Sequence, residues 1–125
     1  PELAGMIGPA QIDGKAQLFI DFEDRLTLFD SMILCKFFRD IYPWGLLGEL
    51  ISAATGIDGS TKHLSSIAST ISSTVRDFNV REGMTGLDET LPKAFHLPLQ
   101  DSRAVITKAE IDHLIKDYRL LRGWK

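Results

Sequence analysis

Lys15-Ala16-Gln17-Leu18-Phe19-Ile20-Asp21-Phe22-Glu23-Asp24-Arg25-Leu26-Thr27-Leu28-Phe29-Asp30-Ser31-Met32-Ile33 is the stretch that decides the fold class. Ala16, Phe19, Ile20, Phe22, Leu26, Phe29 and Ile33 recur at spacings of roughly three or four, the period of a helix that buries one stripe. Asp21, Glu23, Asp24 and Arg25 are expected to supply most of its wet face. Upstream, residues 1–14 carry Gly5, Gly8, Pro9 and Gly14 without a sustained period and read as an irregular lead-in.

Downstream, a second apolar stretch over 32–38 runs into Arg39-Asp40 and then Tyr42-Pro43, where the proline disfavours helix in the residue before it. The chain has to bend there. Pro43 can open a further helix from its first turn, with Leu46, Leu47, Leu50, Ile51 and Ala54 facing inward and Gly56 as a left-handed terminator. Asp58, Ser60 and Thr61 are N-cap candidates for a long helix over 61–81, striped by Leu64, Ile67, Ala68, Ile71, Val75 and Phe78 and ended by Gly83. Its many serines and threonines are poor helix formers, so burial of the stripe has to carry it. Residues 84–100 contain Gly86, Pro92 and Pro98 and read as an extended connector. Thr107 and Glu110 have the spacing of a capping box for a last helix, striped by Ile111, Leu114, Ile115, Tyr118 and Leu121. The expectation is an all-α protein: an irregular bundle of about five helices, with residues 15–125 as a single helical domain and the connector before its last helix.

The chain has 125 residues, a single domain's worth, and its 44% hydrophobic and 25% charged residues are an ordinary globular balance. Seventeen acidic against fourteen basic residues leave a net charge of -3, which gives no field to gather nucleic acid or anionic lipid. Apolar runs fall far short of the ~20 residues that span a bilayer, so no membrane partner is expected. The single cysteine, Cys35, cannot form an internal disulfide, which fits a cytoplasmic location. The first residue is Pro1 rather than methionine, which suggests a trimmed fragment or a removed initiator.

Five segments carry a resemblance in their order: Gly14-Lys15-Ala16; Leu28-Phe29-Asp30-Ser31-Met32-Ile33-Leu34-Cys35-Lys36-Phe37; Phe78-Asn79-Val80-Arg81-Glu82-Gly83-Met84; Asp88-Glu89-Thr90-Leu91-Pro92; and Tyr118-Arg119-Leu120-Leu121-Arg122-Gly123-Trp124. Together they resemble the C-terminal domain of tungsten-containing aldehyde ferredoxin oxidoreductases, over nearly the whole chain. The resemblance implies part of an enzyme that oxidises aldehydes to carboxylic acids and passes electrons to ferredoxin. The complete enzyme would use a tungsten (or molybdenum) bis-pterin and a [4Fe-4S] cluster. In that family an Asp-x-x-Gly-Leu-Cys motif lies in this region; its aspartate hydrogen-bonds a pterin and its cysteine is a cluster ligand. Carried over, these are Asp30 as pterin contact and Cys35 as metal ligand, with Leu34 lining the site. Ile33 stands where the motif has glycine, and its Cβ limits how closely the backbone can approach a cofactor. Ala94 stands where a basic residue usually follows the Leu-Pro pair.

The two positions suit those roles chemically. A carboxylate accepts hydrogen bonds in a bidentate way from adjacent N–H donors on a planar ring. A thiolate is the ordinary ligand of iron in such clusters. On an ideal helix five residues turn ~500°, which sets Asp30 and Cys35 about 140° apart. They should therefore touch different parts of a cofactor assembly, or the helix should break between them.

Without the resemblance, Cys35 among Ile33, Leu34 and Phe37 reads as a small buried hydrophobe, and Asp30 as a cap or solvated charge. Arg81 and Glu82 read as a structural ion pair. His63, His96 and His113 lack metal-ligand spacing, and Trp44 and Trp124 read as core or interface anchors. A cluster needs four ligands against one thiol here, so three come from elsewhere, and the chain alone is expected to be inactive and to bind no cofactor by itself. The expected partners are the remaining domains or a subunit of the same enzyme, with ferredoxin for the complete enzyme; homo-oligomerisation stays open. The alternative is a stand-alone helical interaction module that has lost the cofactor. Both readings predict an exposed apolar patch over 32–38.

Overall fold

A computed structural model describes residues 7–8, 11–98 and 105–124. They form four α-helices, α1 (Lys15–Ser31), α2 (Trp44–Thr55), α3 (Thr61–Arg81) and α4 (Lys108–Arg122), with short 3-10 segments at Lys36–Phe38 and Lys93–His96. No strand occurs among the described residues. The all-α class is as expected; the helix count is four, not five. The apolar stretch over 32–38 holds only a 3-10 turn, because Met32 and Leu34 are drawn against the core from a reversing chain instead of forming a stripe. Of the lead-in, residues 1–6 and 9–10 lie outside the described residues.

The chain divides into two compact units, Ile20–Asn79 and a second made of Pro1–Phe19 with Val80–Lys125. In Ile20–Asn79 the core is Leu28 and Phe29 from α1, Leu47 and Ile51 from α2, and Leu64 and Ala68 from α3, with Met32, Leu34, Tyr42, Trp44 and Ile67 packed on it. Phe29 meets Tyr42 edge-on at 5.9 Å, and Trp44 Nε1 donates to Asp21 Oδ1 at 2.9 Å. Pro43 is the N-cap of α2, which therefore begins at Trp44, one residue later than expected, and Gly56 ends that helix at φ 75. Ser60, oriented by Asp58, accepts from the His63 N–H and starts α3.

Helical register corrects the expected wet face of α1. Ala16, Ile20, Asp24 and Leu28 follow one another at intervals of four, as do Arg25 and Phe29, so Asp24 and Arg25 share faces with buried neighbours. Both are buried, at 5% and 2% exposure, and the Arg25 guanidinium stands 5.1 Å from the centre of the Phe22 ring. Leu28 joins the core, whereas Phe19 and Ile33 are exposed. On α2 only Leu47 and Ile51 of the expected stripe are buried; Leu46, Leu50 and Ala54 are exposed.

The other unit is organised by α4. The Thr107 hydroxyl accepts from the Glu110 N–H while Glu110 Oε2 accepts from the Thr107 N–H at 2.7 Å, the expected capping box. Gly123 at φ 70 closes the far end. Tyr118 lies edge-on between Phe19 at 5.6 Å and Trp124 at 5.3 Å. Arg119 Nε donates to Glu89 Oε2 at 2.8 Å, which fastens the connector to the helix.

A Cβ on Gly48 or Gly59 would run into the other's backbone carbonyl oxygen, where neither atom is a movable side chain. Gly59→Ala should therefore destabilise the unit by at least about 2 kcal/mol in urea unfolding. Separately, Thr107→Ala should cost about 1 kcal/mol at neutral pH. The backbone N–H of Thr107, then its hydroxyl, holds the Glu110 carboxyl below its ordinary value; Ser60 and Thr85 act likewise on Asp58 and Asp88. A carboxyl lowered on folding contributes stability above its unfolded value and loses it as pH falls through the folded one. Melting temperature should drop below about pH 4, and less steeply in Glu110→Gln.

Candidate functional site

The candidate site forms where α1 ends. The Ile33 N–H donates to the Asp30 carbonyl at 3.2 Å, and the Leu34 N–H reaches back to the Phe29 carbonyl at 2.9 Å. This pair of bonds is a Schellman motif with Ile33 in the left-handed position, at φ 59. Ile33 is the one positive-φ residue other than glycine among the described residues. Glycine takes this conformation without strain, whereas a side chain there costs about 1–2 kcal/mol. The motif persists because Leu34, just beyond the turn, packs against the core that contains Phe29. The helix thus breaks between Asp30 and Cys35, the second of the two outcomes that the helical spacing allowed.

The break places the three residues differently. Asp30 lies in the last turn of α1 with its side chain 62% exposed, and its Oδ2 pairs with Lys36 Nζ at 2.8 Å. Leu34 is half-buried against the core, so its apolar bulk anchors the turn. Cys35 is exposed, with extended backbone at φ -71 and ψ 118, and caps the 3-10 segment. The buried-hydrophobe reading of this thiol is therefore wrong. Around it Ile33 at 94%, Phe37 at 91%, and Phe38 and Ile41 above one half are open to solvent, the expected apolar exposure.

The remaining candidates do not join this turn. His63, His96 and His113 stand apart; His96 Nδ1 lies 2.6 Å from the Ile106 carbonyl oxygen, and His113 faces Asp13 and Asp117. Among the described residues no group of three or more His, Cys, Asp or Glu could hold a metal ion. Arg81 and Glu82 pair at 3.3 Å on the surface. A cleft in the other unit is lined by Glu89, Asp112, Lys116, Arg119 and Trp124, but Glu89 is already matched to Arg119 and Asp112 to Lys108. Sequence reasoning missed Lys36. Six residues after Asp30, it would sit about 120° away on a continuous helix, and only the reversal at Ile33 brings it back.

The described residues are thus all-helical and set one exposed thiol and one exposed carboxylate on either side of a chain reversal. Residues 2–125 match the family model described as aldehyde ferredoxin oxidoreductase, domains 2 and 3. The tungsten-containing aldehyde ferredoxin oxidoreductase of Pyrococcus furiosus is 31% identical over 114 residues, covering 90% of this chain and 19% of that protein. The protein of the same description from Thermococcus kodakarensis is 31% identical over 130 residues, covering 99% and 22%. The one from Pyrococcus horikoshii is 30% identical over 130 residues, covering 99% and 21%. The chain belongs to the aldehyde ferredoxin oxidoreductase family and spans about a fifth of the length of these relatives. No solved structure matches it. No helix among the described residues is long and apolar enough to cross a membrane.

Because Ile33 is almost fully exposed, Ile33→Gly removes strain and forfeits almost no burial. Glycine's greater freedom in the unfolded chain offsets part of the gain. The substitution should stabilise the chain by up to about 1 kcal/mol, read from the midpoint of chemical denaturation.

Proposed function

We propose that this chain is the part of an aldehyde:ferredoxin oxidoreductase-like enzyme that contributes one ligand to a [4Fe-4S] cluster, Cys35, and one pterin contact, Asp30. What carries the reading is the reversal at Ile33. It sets an exposed thiol and an exposed carboxylate on either side of one turn, in a chain of this family.

The donors fit the groups in kind. A cysteine thiolate is the ordinary iron ligand, and Cys35 stands open on extended backbone where a cluster held largely by other segments can reach it. A carboxylate has about four lone-pair directions, so Lys36 at Oδ2 leaves Asp30 able to accept from two adjacent ring N–H groups. When bound, the tungsten or molybdenum bis-pterin supplies the oxidation of aldehyde to acid, and the cluster carries electrons toward ferredoxin. This chain's share is to hold and orient. Asp30 fixes the pose of a pterin, Cys35 ties the cluster to the helical unit, and the apolar side chains of Ile33, Phe37 and Phe38 exclude water around them. The other cluster ligands and the groups that face the aldehyde come from the remaining domains or from a partner subunit. The chain alone is inactive, and the complete enzyme acts in the cytoplasm.

One observation favours a second reading. Ile33 puts a branched side chain where the family motif has none, which suits a helical interaction module that has lost its cofactor. Iron content separates the two. The chain is produced anaerobically with the polypeptide that completes it, as wild type and as Cys35→Ser. The enzyme reading expects about four iron atoms per wild-type protein and three or fewer in the variant. Equal, non-zero iron in both removes Cys35 from the ligand set. Iron-free complexes throughout support the interaction module.

A further inference from the structure

The Asp30 and Lys36 pair is an unusual product of the turn. Residues six apart do not face each other on a helix, and here they meet at 2.8 Å because the left-handed residue between them folds the chain back over the last turn of α1. Lys36 follows Cys35 directly, so its ammonium leaves the backbone beside the thiol and ends on the carboxylate. On the surface such a pair is screened and weak. Covered by a bound group and deprived of water, the same pair strengthens and holds its geometry. The pair engages one oxygen of Asp30 and leaves the rest of the carboxylate edge open to a planar donor pair.

From this geometry we infer that Lys36 is a positioning residue that acts through Asp30, setting the carboxylate plane for the pterin. The inference rests on the proposed role of Asp30. It adds a requirement that role does not contain: a cation at position 36. Arginine at that position keeps the charge and the reach, whereas methionine keeps only the apolar stem.

The test uses the complete loaded enzyme, with Lys36→Met, Lys36→Arg and Asp30→Asn compared with wild type. Tungsten, oxidised-pterin fluorescence and iron per protein are measured before and after dialysis. Lys36→Met should lose pterin and tungsten several-fold faster than wild type while its iron content stays unchanged, and Lys36→Arg should recover most of the retention. A purely structural role would lower iron along with pterin, and that result overturns the inference. Retention equal to wild type in Lys36→Met, with loss in Asp30→Asn, also overturns it and leaves the role of Asp30 intact. Firmer retention in Lys36→Met makes Lys36 a competitor for the carboxylate and overturns it as well. Unchanged retention in Asp30→Asn removes the pterin role of Asp30, and the inference falls with it.

Discussion

The candidate site depends on one backbone angle. With Ile33 at a negative φ, α1 would run on, Cys35 would stand about 140° around the helix from Asp30, and Lys36 would point elsewhere. At φ 59 the chain reverses, the last carbonyls of α1 are capped by Ile33 and Leu34, and the carboxylate, lysine and thiol gather at one turn. Strain of this kind survives only where the surroundings hold it. Here they do: Phe29 is fully buried three residues before Met32, and both Met32 and Leu34 pack against its cluster. The core therefore dictates the turn, and the turn dictates the site.

That chain of causes explains what could be read from the sequence. Helices α2, α3 and α4 are bounded by residues whose chemistry is local: Gly56 at a left-handed cap, Ser60 beside Asp58, and the reciprocal bonds of Thr107 and Glu110. Each needs only its near neighbours, so spacing reveals it. Asp24 and Arg25 did not reveal themselves, because polarity argued for water while register placed them beside Ile20, Leu28 and Phe29. The apolar stretch over 32–38 was misleading for a related reason. Its apolar residues belong to two purposes, Met32 and Leu34 for the core and Phe37 and Phe38 for the surface, and a bare count of apolar positions merges them.

The candidate residues could be named from the sequence, and their arrangement could not. Asp30 and Cys35 are candidates through a motif, which preserves residue types and spacing. The motif's glycine was also a clue to geometry, since a glycine before Leu-Cys suggests positive φ. Its replacement by Ile33 hid that clue in this chain, although the backbone kept the conformation. Lys36 was invisible for the same reason; the pairing of Glu89 with Arg119 was invisible because it joins residues thirty apart in the chain.

Exposed apolar side chains and the single thiol have a common physical basis. The outer part of α3 carries Val75 and Phe78 with more than half their surface open, and around the turn Ile33 and Phe37 are open almost entirely. A helix whose stripe is fully buried at Leu64 and Ala68, partly buried at Ile67 and Ile71 and open at Val75 and Phe78 gains little from burial toward its far end, and Ser and Thr add little propensity. Yet the Thr70 and Thr74 hydroxyls already donate to the carbonyls of Ser66 and Thr70, both at 2.9 Å. A surface laid over that length would leave these two hydroxyls satisfied and gain the apolar area of Val75 and Phe78. At the turn, too, Asp30 has a local partner in Lys36 beside the open side chains of Ile33 and Phe37. Polar groups satisfied locally beside apolar groups left open are what a segment requires if it is to be buried by the rest of a larger protein.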